Sequence, residues 1–156
     1  CLSPGWRIGW ISAGKYHSNA IDHRFCSQLS GAPVIESALA SYLADTAFIR
    51  HIKRLKRRSN ASIKAFTLAI GKYFPQGTEI SHPCGGFLLW VKLPNGIDST
   101  RLAQLAKASN IIISPGPLFS PSGELTSYLR INAGHDLDDT YYESIKCIGE
   151  LAAQCQ

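Results

Sequence analysis

The sequence predicts an α+β sheet domain preceded by a stub of another layer. Three observations carry that expectation. In the first half, apolar residues recur every three or four positions over long stretches, the period of a helix with one buried face. The second half changes to short apolar runs closed by Pro and Gly, as strands and turns are. With 156 residues, 45% of them hydrophobic, the chain is about one domain long and can bury a real core.

The elements follow in order. Trp6 to Ala13 is dense in aromatic and branched side chains between Pro4-Gly5 and Gly14, so a short strand is expected. From Ser18 to Ser30, Ile21, Phe25 and Leu29 are four apart, which predicts a helix. Pro33 restarts a helix at its first turn, where its missing N–H would be unpaired anyway, and Glu36 favours the positive end. That helix runs to about Ala44, with Asp45 and Thr46 as break or cap. A longer one is expected from about Ala47 to Phe74, with Phe48, Ile52, Leu55, Ile63, Phe66, Ile70 and Tyr73 on one face, ended by Pro75-Gln76-Gly77. Glu79 to Ser81 is read as extended, with Pro83 just beyond it. Residues 87–93 are almost continuously apolar, as a central strand is. Ser99 to Ser109 is an amphipathic helix capped by Asp98 or Ser99. A short strand at Ile111 to Ile113 stops at residues 114–117. An alternating strand over Ser127 to Ala133 and a closing helix from Asp138 to Gln154 complete the chain.

Charge and cysteine usage narrow the function classes. Lys and Arg exceed Asp and Glu by five, and the run Arg50 to Arg58 alone holds six basic residues and no acid. The rest is near neutral, which argues against a diffusely basic nucleic-acid binder. Five cysteines, an odd number with no C-x-x-C, are expected to be reduced and mostly buried, as in a cytoplasmic protein. No apolar run approaches 18 residues and no signal peptide opens the chain, so neither a membrane nor secretion is expected. A chain that begins Cys-Leu-Ser-Pro without Met reads as cut from something longer.

Four segments carry chemistry. Arg7, within residues 3–10, is a long cation in an aromatic, Gly-punctuated stretch. Its planar fork suits a phosphate or carboxylate, and an edge arginine reaching solvent is the alternative. Gly85-Gly86 before an apolar strand permits close backbone approach, or makes a simple turn. Ser114 to Phe119 is a rigid loop of the kind that lines pockets or merely links elements. Arg130 lies in the apolar stretch Tyr128 to Asn132, where an anion or an internal Asp/Glu must meet it. Together the two arginines point to a site for two anionic groups. No nucleophile triad, acid/base carboxylate pair or metal cage is visible. His17, His23, His51, His82 and His135 are scattered.

Five motifs occur in one order: PGWRIGW (4–10), RHIKRLKRR (50–58), HPCGGFLLWVKLP (82–94), ISPGPLF (113–119) and YLRINAG (128–134). The series resembles the C-terminal part of fold-type I, pyridoxal-phosphate-dependent class I aminotransferases. Its wording is closest to the aminotransferase-like domain of MocR-subfamily, GntR-type transcriptional regulators. The resemblance implies a small C-terminal domain over 47–156, mostly antiparallel sheet with helices and a long connecting helix. Residues 1–46 would end the large pyridoxal-phosphate-binding domain. It implies that Arg7 contacts the cofactor phosphate and that Arg130 takes the α-carboxylate of a substrate or effector. Cys84 and Gly31-Ala32-Pro33 depart from the family's usual side-chain character.

Also implied are an amino-acid-like or vitamer ligand, a homodimer, a hinge near Asp45-Thr46, and DNA binding through a winged-helix domain upstream. A free-standing aminotransferase or C–S lyase is the alternative. The basic run is expected as a solvated helix face, with direct DNA contact as the alternative. In the family the Schiff-base lysine immediately precedes the position of Cys1, so no catalytic residue is expected in this chain. Lys15 lacks the desolvated setting such a lysine needs. Pyridoxal phosphate mixed with this chain is therefore expected to give no one-to-one absorbance band near the visible edge. A stoichiometric band abolished by replacing a single lysine contradicts this.

Overall fold

The structure, a computed structural model, describes residues 2, 4–28, 31–94 and 96–155. The chain forms two compact units, Cys1–Arg54 and Leu55–Gln156.

In the first unit the expected strand over Trp6 to Ala13 does not form. Pro4–Trp6 is a 3-10 turn, Arg7 takes a left-handed backbone (φ 51°), and residues 8–13 have no regular structure. A strand needs a neighbour to accept its hydrogen bonds, and among the described residues none lies beside this segment. A second 3-10 turn, Gly14–Tyr16, leads into helix α1 (His17–Ser27). Leu29 and Ser30, expected in that helix, lie outside the described residues. Helix α2 (Pro33–Ala44) begins on Pro33, as its fixed φ favours. Asp45 then ends one helix and caps the next: its Oδ1 accepts the Ala47 N–H at 2.7 Å. Among the described residues of this unit Leu39 is the buried apolar one, whereas Trp10, Ile11, Phe25 and Val34 are exposed.

Helix α3 (Thr46–Tyr73) runs from the first unit into the second. In the second unit, four antiparallel strands lie in the order β1 (Glu79–Ile80), β2 (Leu88–Lys92), β4 (Tyr128–Asn132), β3 (Ser114–Pro115). One sheet face presents Leu89, Val91, Leu129 and Ile131 to Phe66 and Ile70 of α3, Leu102 of α4 (Ser99–Ala108), and Ile145 and Ile148 of α5 (Asp139–Gln154). This is the hydrophobic core, one helical layer on one sheet. Asp98 caps α4 by accepting the Thr100 N–H at 2.7 Å, and Asp138 caps α5 through the Tyr141 N–H at 2.9 Å. Of the two caps offered for α4, the structure uses Asp98; Ser99 is buried with an unpaired hydroxyl.

Two expectations need correction. Ile111 to Ile113 is not a strand: the Ile111 N–H still bonds to Ala106 at the exit of α4, and pairing with β4 begins only at Ser114. The cysteines are free where described, but none of these is fully buried. Cys26 and Cys84 are exposed because α1 buries no residue and Cys84 lies in a loop, and Cys147 and Cys155 are half-buried. Among the described residues no helix is long and apolar enough to cross a membrane.

Candidate functional site

Alternation along β2 and β4 decides what the outer sheet face displays. Since Leu89, Val91, Leu129 and Ile131 point into the core, Trp90, Lys92, Tyr128, Arg130 and Asn132 stand on the opposite side. Strand register sets Trp90 and Ser114 on either side of Arg130. Trp90 stacks on Tyr128 (5.7 Å, 24°) and meets Phe119 edge-on (5.5 Å, 76°). The Arg130 guanidinium lies 4.4 Å from the centre of the Phe119 ring. Arg130 therefore rises half-buried from an aromatic platform.

The two cations of this face differ in one decisive respect. Lys92 is paired with Glu79 at 2.8 Å, and that hydrogen bond and charge hold its ammonium above the usual lysine pKa. Arg130 has no carboxylate partner among the described residues, so the internal Asp/Glu alternative does not hold. An aromatic ring attracts a guanidinium without using up its N–H donors, which leaves the fork free for a planar anion.

The loop Ser114 to Phe119 places Phe119. β3 ties its start to β4, and Gly116–Phe119 is a 3-10 turn. A Cβ on Gly116 would collide with the Leu125 carbonyl oxygen, so glycine is required and the loop is held rigid. The Gly85-Gly86 pair works differently. Nothing lies within 4 Å of a Cβ at either, and Gly86 is needed for its φ of 84°, so the pair makes a turn rather than a close approach.

Beside Arg130, where the two-residue β3 stops, opens a cleft of about 350 Å³. Its apolar wall is Phe66, Ile111, Ile113 and Ile145. Asn110 and His135 add polar groups, and His135 stacks on Tyr141 (5.4 Å, 12°). Among the described residues no group of His, Cys, Asp and Glu is placed to hold a metal ion.

Arg7 lies in the first unit, exposed and likewise without a carboxylate partner among the described residues. Phe119 and Tyr128 lie in the segments 114–119 and 128–132 that the sequence marks, whereas Trp90 is not marked there. The signal was there: Trp90 is in phase with Lys92 and out of phase with Leu89 and Val91, so it had to face outward.

Known proteins are similar to this chain in sequence and fold. The profile of the family "Aminotransferase class I and II" matches residues 2–142. The HTH-type transcriptional regulator YjiR of Escherichia coli is 34% identical over 149 residues, which are 96% of this chain and 32% of YjiR. The chain thus spans about a third of the length of that curated relative. The structure of Pyrococcus horikoshii kynurenine aminotransferase, in complex with PMP, is 27% identical with a TM-score of 0.56. It covers 68% of this chain and 26% of that one. The α-aminoadipate aminotransferase LysN of Thermus thermophilus superposes with a TM-score of 0.79 at 20% identity, over 90% of this chain and 36% of its own, a likeness of fold. With the family profile covering most of its length over a matching α+β fold, this chain belongs to the class I and II aminotransferase family.

Proposed function

We propose that this chain is the C-terminal portion of the effector domain of a pyridoxal-phosphate-dependent GntR/MocR-type transcriptional regulator, sensing an amino-acid-like or vitamer ligand. Likeness to YjiR along 96% of the chain supports the regulator class. The observation that carries ligand sensing is Arg130, a cation on an aromatic platform with no carboxylate of its own among the described residues. Residues 1–46 are read as the end of the large cofactor domain and 47–156 as the small domain, with a hinge near Asp45-Thr46. Exposed Trp10, Ile11, Phe25 and Val34 support a first unit that needs covering by further protein. DNA binding through a domain upstream, a homodimer and a cytoplasmic location belong to the same reading.

The residues fit pyridoxal phosphate on one observation: Arg7 offers an exposed guanidinium that no described carboxylate occupies. Arg7 would hold the phosphate. When bound, the cofactor supplies an aldehyde that condenses with amines. Arg130 grips a ligand carboxylate through parallel N–H donors, and Phe119 holds the guanidinium in place. Trp90 and Tyr128 exclude water from that contact and so strengthen it.

Arg7→Ala in the full-length protein is expected to weaken cofactor retention about ten- to hundredfold, for a lost charge-assisted contact of roughly 1.5–3 kcal/mol. Equilibrium dialysis of mutant and wild type measures it, and unchanged retention contradicts the role. An aminotransferase or C–S lyase is the second reading, favoured by the likeness to kynurenine aminotransferase. The reading frame upstream of Cys1 separates the two: a winged-helix segment and linker are expected, and a frame without one favours the enzyme.

A further inference from the structure

Helix α3 carries eight of the sixteen Lys and Arg residues and no Asp or Glu over its 28 residues. The rest of the chain holds eight basic residues against eleven acidic ones, so the entire positive balance sits on one helix. Three of the eight have a polar partner, Arg50 donating to the Thr46 hydroxyl one turn back in its own helix (3.2 Å). Arg58 donates to Asp136 through Nε and Nη2 (3.1 and 2.7 Å), which holds the Asp136 carboxyl below its usual pKa, and Lys72 donates to the Tyr142 hydroxyl (3.1 Å).

Helical geometry sorts the eight. At about 100° per residue, Arg50, Lys53, Arg54, Arg57 and Lys64 fall within an arc of about 100°, opposite Phe66 and Ile70. All five are exposed, and among the described residues none has a carboxylate partner. At about 1.5 Å per residue the stripe is about 21 Å long. Like charges at i,i+3 and i,i+4, such as Arg50 with Arg54 and Lys53 with Arg57, disfavour the helix. A face that needed only water would intersperse acids.

We propose that this stripe docks on the phosphate backbone of duplex DNA, a choice of partner that rests on the regulator reading above. Duplex DNA presents about one negative charge per 1.7 Å of axis, so a 21 Å row of cations finds more phosphates than it needs. Arginine forks and lysine points bind such oxygens without reading bases, so the contact positions the protein and leaves sequence choice to another domain. A membrane surface fits less well. Phe66 and Ile70 of the same helix are packed in the core at 1% and 0% exposure, and its exposed large apolar residues, Ile49 and Leu68, lie 19 positions apart, two isolated side chains rather than a continuous face to insert.

The test is the salt dependence of binding of this 156-residue chain to a short duplex of arbitrary sequence, followed by fluorescence anisotropy. Five phosphate contacts give a slope of log K against log salt of up to about −4.5. The variant R50Q/R54Q/R57Q is expected to lose about one unit of slope per cation removed. The variant K15Q/K107Q/K146Q, with the same charge change off the stripe, is expected to keep it. Circular dichroism checks that both stay helical. Equal losses in the two variants, no duplex binding at low salt, or binding to phosphatidylglycerol vesicles in its place overturns the proposal. The regulator reading fails separately, when the full-length protein binds no specific promoter DNA whatever the slope on arbitrary duplex.

Discussion

Replacing Arg130 with alanine in the full-length protein is expected to weaken its carboxylate ligand about a hundredfold or more while the cofactor stays bound. Two parallel charge-assisted hydrogen bonds are lost together, each worth roughly 1.5–3 kcal/mol. Of the two cations on the outer face, only Lys92 has a carboxylate partner among the described residues, and it cannot substitute while Glu79 holds it at 2.8 Å. Arg130→Lys keeps the charge but loses the fork and its seat on Phe119, so an intermediate loss of about tenfold is expected. Titrating candidate amino acids against the cofactor's absorption spectrum measures both variants. Unaltered affinity for every responsive ligand removes the carboxylate role and leaves Arg130 as a cation packed on a ring.

Leu89→Ala is expected to destabilise this chain by about 2–5 kcal/mol, the range for a leucine deleted from a packed core. Leu89 is fully buried on a central strand, between α3, α4 and α5 on one side and its neighbours in the sheet. Its neighbour Leu88 points the other way and is 41% exposed, so Leu88→Ala should cost well under half as much. Urea unfolding of both variants gives the comparison. Equal effects contradict the register that places Trp90 and Arg130 on the outer face.

Much of this was legible in the sequence because it depends on local chemistry. Pro33 opens α2 and Pro75-Gln76-Gly77 closes the stretch after α3, and the described helices fall within a residue or a few of where spacing puts them. Strands were less legible, since a strand exists only where a partner does. Trp6 to Ala13 has strand-like composition and no neighbour among the described residues. Ile111 to Ile113 has three branched residues, yet its backbone is still bound up with the end of α4. Arg130 was found from sequence as a cation in an apolar strand. Its lack of a carboxylate partner and its seat on Phe119 come from strand register and from a loop that only glycine at position 116 allows.

On this reading a carboxylate ligand at Arg130 controls a regulator rather than feeding a catalyst. In such a protein the ligand acts only through its different affinity for open and closed states, and turnover is optional. One paired measurement tests this on a single preparation of the full-length protein with pyridoxal phosphate: DNA footprinting with and without amino-acid ligand, alongside an assay of transamination. A specific footprint that changes with ligand, loss of that change in Arg130→Ala, and slow or absent turnover are expected. Rapid multiple turnover with no footprint on any promoter contradicts this reading and makes the parent an aminotransferase.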